Sequence, residues 1–433
     1  MSALPSESID EQTTRRFESR AMRLGLWLLP ILIIAAWVLL GRYPKWILFL
    51  QQPNNWSSLL SMKILAPAIA IPTVAMVGWS ISIRLSDRFQ RTTQSLLSIA
   101  VIAVTLVGCG LAFTHPRAVF VLREAVKSRA VQASFVRNMA FKQELFATPA
   151  TAPTAGQTRI ALVGSSQINL GIDPESLKQQ TGSDRIVSAC MPGMVPTQYL
   201  AISREVRNQQ PTHVVCWLSE FDFFRETKLP VIRVRWVCDP QSVGELGEAM
   251  TPAERFEHRG ELADLVFAAA SPIWKLRSMF QLIAFRFWWT WDQDVTELDE
   301  DEKRIGGRLV DKDAGIKNAK QNIQRTPLVE LNFRAFEGFA KNITDSGAIL
   351  VVLEGESHPD TMAAYPSEFR AETRERLQDS AQAIGFNYVT SDGMPTFVET
   401  DWRDAVHLNA NGQEKLTHFV ADYLAQLSDK PTR

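Results

Sequence analysis

Residues 161–174 read ALVGSSQINLGIDP, an apolar run that breaks into a glycine and two adjacent serines. A short apolar run bounded by turn residues reads as a buried strand. Its exit through Gly164, Ser165 and Ser166 is either an ordinary strand-to-helix turn or a mount for a nucleophilic hydroxyl. A serine hydroxyl becomes a good nucleophile only beside a base, which is itself oriented by a third group. Residues elsewhere in the chain therefore decide between the two readings.

Outward from this stretch, strand and helix patterns alternate. Strands are expected at Arg159–Gly164, Arg185–Cys190, His213–Leu218, Ala348–Leu353 and Phe386–Val389. Helices are expected at Thr197–Gln209, Val329–Thr344, Ser367–Ile384 and Ala410–Leu427. Such alternation implies an α/β domain with a parallel sheet covered on both faces. A large insertion, about residues 225–325, interrupts the rhythm. It holds PIWKLRSMFQLIAFRFWWTW, with Trp274, Phe280, Phe285, Phe287, Trp288, Trp289 and Trp291 among Lys275, Arg277 and Arg286. Four readings stay open for it: an interfacial helix, a lid, a sugar-stacking platform, or a subdomain burying its own aromatics. The acidic run DQDVTELDEDEKR that follows reads as a solvated loop.

The chain has 433 residues, with 46 Lys and Arg against 47 Asp and Glu. That balance argues against a nucleic-acid partner, which calls for a basic face. The apolar residues concentrate before residue 115. Leu24–Leu40, Ile64–Ile83 and Leu96–Phe113 are each apolar enough to span a bilayer, which takes about 20 residues. Arg15, Arg16, Arg20 and Arg23, with Arg84, Arg88 and Arg91, outweigh Arg42 and Lys45 on the other side. This bias places the N-terminus inside and the region after Phe113 outside the cytoplasm. The expected organisation is a cytoplasmic tail (1–23), three transmembrane helices (24–113), an amphipathic connector and linker (114–157), and an α/β domain (158–433). The expected location is the inner membrane, multi-pass, with the C-terminal domain extracytoplasmic or periplasmic.

Cys109 falls in the third apolar segment, and Cys190, Cys216 and Cys238 lie beyond it. An odd number cannot all pair within one chain, and Cys190 and Cys216 read as buried free thiols on strands. No His or Cys pair has metal-ligand spacing, so neither a metal nor a cofactor is expected.

The 6 histidines include one in DWRDAVHLNANGQEKL, where Asp404 precedes His407 by three residues. In a tight turn that spacing lets the carboxylate take a proton from one imidazole nitrogen and leaves the other to face a serine. His358, in EGESHPD, is a competing base, and His213 and His418 read as structural.

GSSQ directly after the first strand, with DAVH just before the last helix, resembles the SGNH (GDSL-type) hydrolase family over about Arg159–Leu427. The resemblance implies a flavodoxin-like three-layer domain with its first strand between the second and third. It implies Ser166 as nucleophile, His407 as general base and Asp404 as its orienting partner. It implies an oxyanion hole from the amides of Ser166 and Gly193, the latter in CMPGM. The family's third block supplies an asparagine, whereas WLSEFDFF here offers Ser219, Glu220 or Asp222. The intervening first strand also implies that Cys190 and Cys216 are not bonded to each other.

In membrane-anchored relatives of this kind, similar domains serve as esterases or O-acyltransferases of surface polymers. The resemblance thus implies acetyl-ester chemistry on a cell-envelope polysaccharide or glycan, beside a multi-span acyl-transfer partner. A silent module that binds glycans or scaffolds an envelope complex is the alternative, and the missing asparagine favours it.

Overall fold

The computed structural model describes residues 156–224, 234–271, 329–364 and 366–428. It also describes 150–154 and positions 119, 120, 142, 145, 146, 229, 274–276, 313 and 315–317. The chain divides at residues 112/113 into two units, and every described residue belongs to the second.

Five short apolar runs form one parallel sheet: β1 (Arg159–Val163), β2 (Arg185–Ser188), β3 (His213–Leu218), β4 (Ile349–Glu354) and β5 (Asn387–Val389). Their spatial order is β2-β1-β3-β4-β5, the doubly wound flavodoxin-like order. Ile160 lies beside Ile186 in β2 and beside His213 in β3, and Leu218 beside Glu354 in β4. Because both faces are covered, the central strands β1, β3 and β4 are apolar at successive positions rather than at alternate ones.

The helices follow the expected alternation. They are α1 (Ser166–Gly171), α2 (Pro174–Thr181), α3 (Pro196–Asn208), α4 (Glu220–Phe224), α5 (Pro240–Ala249), α6 (Pro252–Glu257), α7 (Arg259–Ala270), α8 (Glu330–Asp345), α9 (Pro359–Met362), α10 (Ser367–Ile384) and α11 (Ala410–Ser428). On one face Val163, Val214, Cys216, Leu218 and Val352 pack with Tyr199 of α3 and with Phe336 and Phe339 of α8. On the other, Leu162, Val215, Trp217 and Leu353 pack with Ile168, Leu177 of α2 and Leu416 and Val420 of α11. Capping sets several ends. Asp173 accepts the Glu175 N–H before α2, and Gly182 leaves it at φ +61. Asn409 Oδ1 accepts the N–H groups of Asn411 and Gly412 at the start of α11.

The insertion between β3 and β4 is mostly helical among the described residues. Trp236, Val237, Leu246, Met250, Leu265 and Leu276 join the core on the α3/α8 face. Trp274 is 43% exposed and bonds Asp264 through its indole N–H. Phe280, Phe285, Phe287, Trp288, Trp289, Trp291, Arg277, Arg286 and the acidic run lie outside the described residues. Cys190, Cys216 and Cys238 are buried thiols, and β1 runs between β2, just before Cys190, and the β3 that carries Cys216.

One part of the expected architecture is corrected. Among the described residues no helix is long and apolar enough to cross a membrane. The longest, α10 and α11, have the length but not the composition: α10 carries Glu368, Arg370, Glu372, Arg374, Glu375, Arg376 and Asp379. The three stretches read as spans, at 24–40, 64–83 and 96–113, lie outside the described residues. The fold described is a parallel α/β domain with a helical insertion, without transmembrane helices.

The carboxyl ends of β3 and β4 approach closely at Gly355. A Cβ there would sit 2.7 Å from the Ser219 nitrogen and 2.8 Å from the Leu218 carbonyl carbon. Gly355→Ala is expected to cost about 1–3 kcal/mol in urea unfolding, as backbone cannot yield as a side chain does. Gly244→Ala in α5 meets nothing within 4 Å and should stabilise by up to about 1 kcal/mol.

Candidate active site

Ser166 opens α1 immediately beyond the carboxyl end of β1. Ser165 caps this helix in an extended conformation (φ −80, ψ −170), and its hydroxyl accepts the Gln167 N–H at 3.3 Å. Gly164 makes the turn possible, since a Cβ there would lie 2.6 Å from Ile168 Cγ2 and 3.3 Å from the Tyr199 hydroxyl. The chain thus leaves the sheet with the Ser166 side chain half-buried at the rim.

The segment before α11 doubles back on itself. Trp402 and Leu408 pair antiparallel, and Arg403 N–H donates to His407 O at 2.8 Å. Asp404 sits within this bend and receives the backbone N–H groups of Val406 and His407 on Oδ1 at 2.9 and 2.8 Å. Its Oδ2 lies 2.7 Å from His407 Nδ1. A carboxylate there fixes the imidazole proton on Nδ1, so Nε2 is the acceptor. That nitrogen is 2.8 Å from Ser166 Oγ, across 241 residues of sequence.

Asp404 and His407 are 5% and 9% exposed. Burial pushes the Asp404 carboxyl up, but the His407 hydrogen bond, the imidazole charge and the two backbone N–H groups outweigh it and hold it below its ordinary value. Asp404 is therefore ionised when it faces His407. The competing base, His358, caps α9: its Nδ1 accepts the Asp360 N–H at 3.2 Å and its backbone N–H donates to Ala405 O at 3.1 Å.

Gly193 occupies a turn after β2 at φ +62, a conformation that favours glycine. Met191 N–H ties that turn to Gly164 O at 2.9 Å, beside the Ser166 loop. The three residues of the WLSEFDFF block have separate fates. Asp222 turns back on its own loop, accepting Ser219 N–H at 2.9 Å with Ser219 Oγ at 3.3 Å. Glu220 is 2% exposed, and its Oε1 has no hydrogen-bond partner. Burial pushes its carboxyl up to about 7; its own backbone N–H and Arg370 pull it down, and Glu354 and Asp222 push it further up.

Sequence reasoning missed the groups that surround Glu220. Glu354, ending β4, takes a bidentate hydrogen bond from Arg374 at 2.9 and 2.8 Å and the Ser391 N–H at 2.7 Å. Burial raises its carboxyl, but Arg374, that N–H and Arg370 together hold it below the ordinary value. A carboxylate closing an apolar strand in VVLEGES was the available signal. Gln167 was missed too: it is 5% exposed, and its Nε2 lies 3.4 Å from both Glu356 O and Val406 O. Its signal was a carboxamide directly after the candidate nucleophile, between Ser166 and the apolar Ile168.

No protein-family model matches this chain, and no curated protein matches it. Among solved structures it is similar to a GDSL-like lipase from Bacteroides thetaiotaomicron VPI-5482. The TM-score is 0.34 and the identity 10%, over 68% of this chain and 100% of that chain. A likeness this low carries no argument, and the interpretation of the site rests on the distances above.

Glu220 supplies a test of the rim's electrostatics. Its folded-state pKa, about 7, lies above the ordinary 4.5, so the folded chain holds the proton more tightly than the unfolded one. The resulting stability is whole below pH 4.5 and lost as pH rises through 7, about 3 kcal/mol in all. Glu220→Gln keeps the neutral shape, so urea unfolding should show the variant gaining on wild type from pH 5 to pH 8.

Proposed function

We propose that this chain is a serine ester hydrolase or O-acyltransferase working through Ser166, His407 and Asp404. The observation that carries the reading is the continuous relay from Asp404 Oδ2 to His407 Nδ1, and from His407 Nε2 to Ser166 Oγ, at 2.7 and 2.8 Å. Both links are hydrogen bonds of full strength, and Asp404 is charged. Nothing further must move for Ser166 to lose its proton as it attacks.

In this reading Ser166 Oγ attacks the ester carbonyl carbon while its proton passes to His407 Nε2. Asp404 stabilises the imidazolium through Nδ1–H. The carbonyl oxygen gains a negative charge in the tetrahedral intermediate, and the amides of Ser166 and Gly193 are its assigned donors. Collapse breaks the bond to the leaving alkoxide, which takes the proton from Nε2 and departs as alcohol. The acyl group, now an ester on Ser166, leaves to water or to an acceptor hydroxyl deprotonated in turn by His407. The proposed acyl group is acetyl and the proposed acceptor an envelope glycan outside the cytoplasm; both rest on the resemblance of the GSSQ and DAVH blocks. The second reading, a silent glycan-binding module, draws on Asp222 and Ser219 being closed on each other, with no asparagine amide in that block.

The test is p-nitrophenyl acetate turnover by the full chain, with intact-mass detection of an acetyl adduct. Ser166→Ala should abolish the adduct and lower kcat by about 10³-fold or more. Asp404→Asn should lower kcat by about 10²–10⁴-fold while leaving Ser166 in place, because the imidazole loses its fixed tautomer. Folded wild type with neither turnover nor adduct would turn the assignment to the binding module.

A further inference from the structure

Gln167 is covalently next to the proposed nucleophile, and its side chain reaches two other loops. We infer that Gln167 is a positioning residue that sets the separation of Ser166 and His407, an inference that rests on the hydrolase reading above. Its Nε2 is placed between Val406 O and Glu356 O, 3.4 Å from each. Val406 O belongs to the same peptide unit as the His407 N–H, and that N–H donates to Asp404 Oδ1 at 2.8 Å. One peptide plane is therefore gripped at both ends, by Asp404 at N–H and by Gln167 at C=O. The imidazole leaves the chain from this plane.

The second carbonyl matters in the same way. Glu356 lies in the loop after β4, where His358 N–H donates to Ala405 O at 3.1 Å. The loops after β1, after β4 and before α11 thus meet on one carboxamide. A neutral side chain with two N–H donors suits two carbonyl acceptors in a place only 5% exposed. A carboxylate there would face both oxygens with like charge, and an apolar side chain would leave both carbonyls without this donor. At 3.4 Å each bond is individually weak, so the contribution is geometric. Displacing a reacting group by about 1 Å can cost about 10²-fold in rate.

Two variants in the full chain test this. Gln167→Met keeps length and volume without donors, and should lower kcat for p-nitrophenyl acetate by about 10-fold or more with KM within about 2-fold. Gln167→Glu should be at least as slow at pH 8. On acidification the neutral acid regains one O–H donor, so its kcat relative to wild type should rise toward pH 5. The ratio to wild type is the readout because Asp404, His407, Glu356 and His358 surround the site in both proteins. A Met variant with wild-type kcat overturns the inference, as does a flat Glu-to-wild-type ratio; if Met fails to fold, the Glu ratio carries the test.

A readout without turnover separates this inference from the hydrolase reading. The His407 Nδ1 proton, hydrogen-bonded to Asp404, should give a low-field imidazole NMR resonance in wild type and in Ser166→Ala. In Gln167→Met it should shift or exchange faster with water. A folded wild type that turns over no ester ends the hydrolase reading, and Gln167 is then judged on this proton alone. An unchanged resonance in the Met variant overturns its positioning role.

Discussion

β1 is paired on both sides with strands running its own way, β2 on one edge and β3 on the other. Parallel neighbours require crossovers, and here the crossovers lie on opposite faces: α1 and α2 lead to β2, and α3 leads from β2 to β3. The connection leaving β1 turns toward β2 and the one leaving β3 turns the other way toward β4, so they diverge at the carboxyl ends of β1 and β3, the switch point where such sheets open a crevice. Ser166 stands at that point because it follows β1 by three residues. α11, held by Leu416 and Val420 against the face that carries Trp217, brings the Asp404–His407 bend to the same rim.

Within this crevice, burial is shared and hydrogen-bond donors decide the charge. Asp404, Glu354 and Glu220 are 5%, 3% and 2% exposed, so each pays for lost hydration when ionised. Asp404 receives two backbone N–H groups and an imidazole, and Glu354 receives a bidentate guanidinium and a backbone N–H. Both stay charged. Glu220 Oε1 has no donor, and its carboxyl is pushed up to about 7. Three buried acids thus divide into two whose charged form is favoured and one whose neutral form is.

Much of the secondary structure was legible because its signals are local. β3 spans the expected His213–Leu218 and α10 the expected Ser367–Ile384, where apolar runs and the Pro366 and Gly385 boundaries sit within a few residues. The D-x-x-H spacing was equally local, since Asp404 and His407 share one bend. The roles in the third block were not legible. Asp222 reaching back to Ser219 and Glu220 being sealed from solvent depend on how α4 meets the β4 rim, and WLSEFDFF permits several such arrangements.

The sequence by itself determined the order of strands and helices, the serine that follows a buried strand, and a carboxylate poised three residues before a histidine. These follow from periodicity and spacing over a few residues. Only the tertiary structure decided that the two ends of the domain meet: Ser166 and His407 are 241 residues apart in sequence and 2.8 Å apart in space. It also decided that His358 caps α9, that Gln167 bridges two loops, and that burial raises the Glu220 carboxyl. Distance and desolvation are properties of the packed sheet rim, and no run of residues carries them alone.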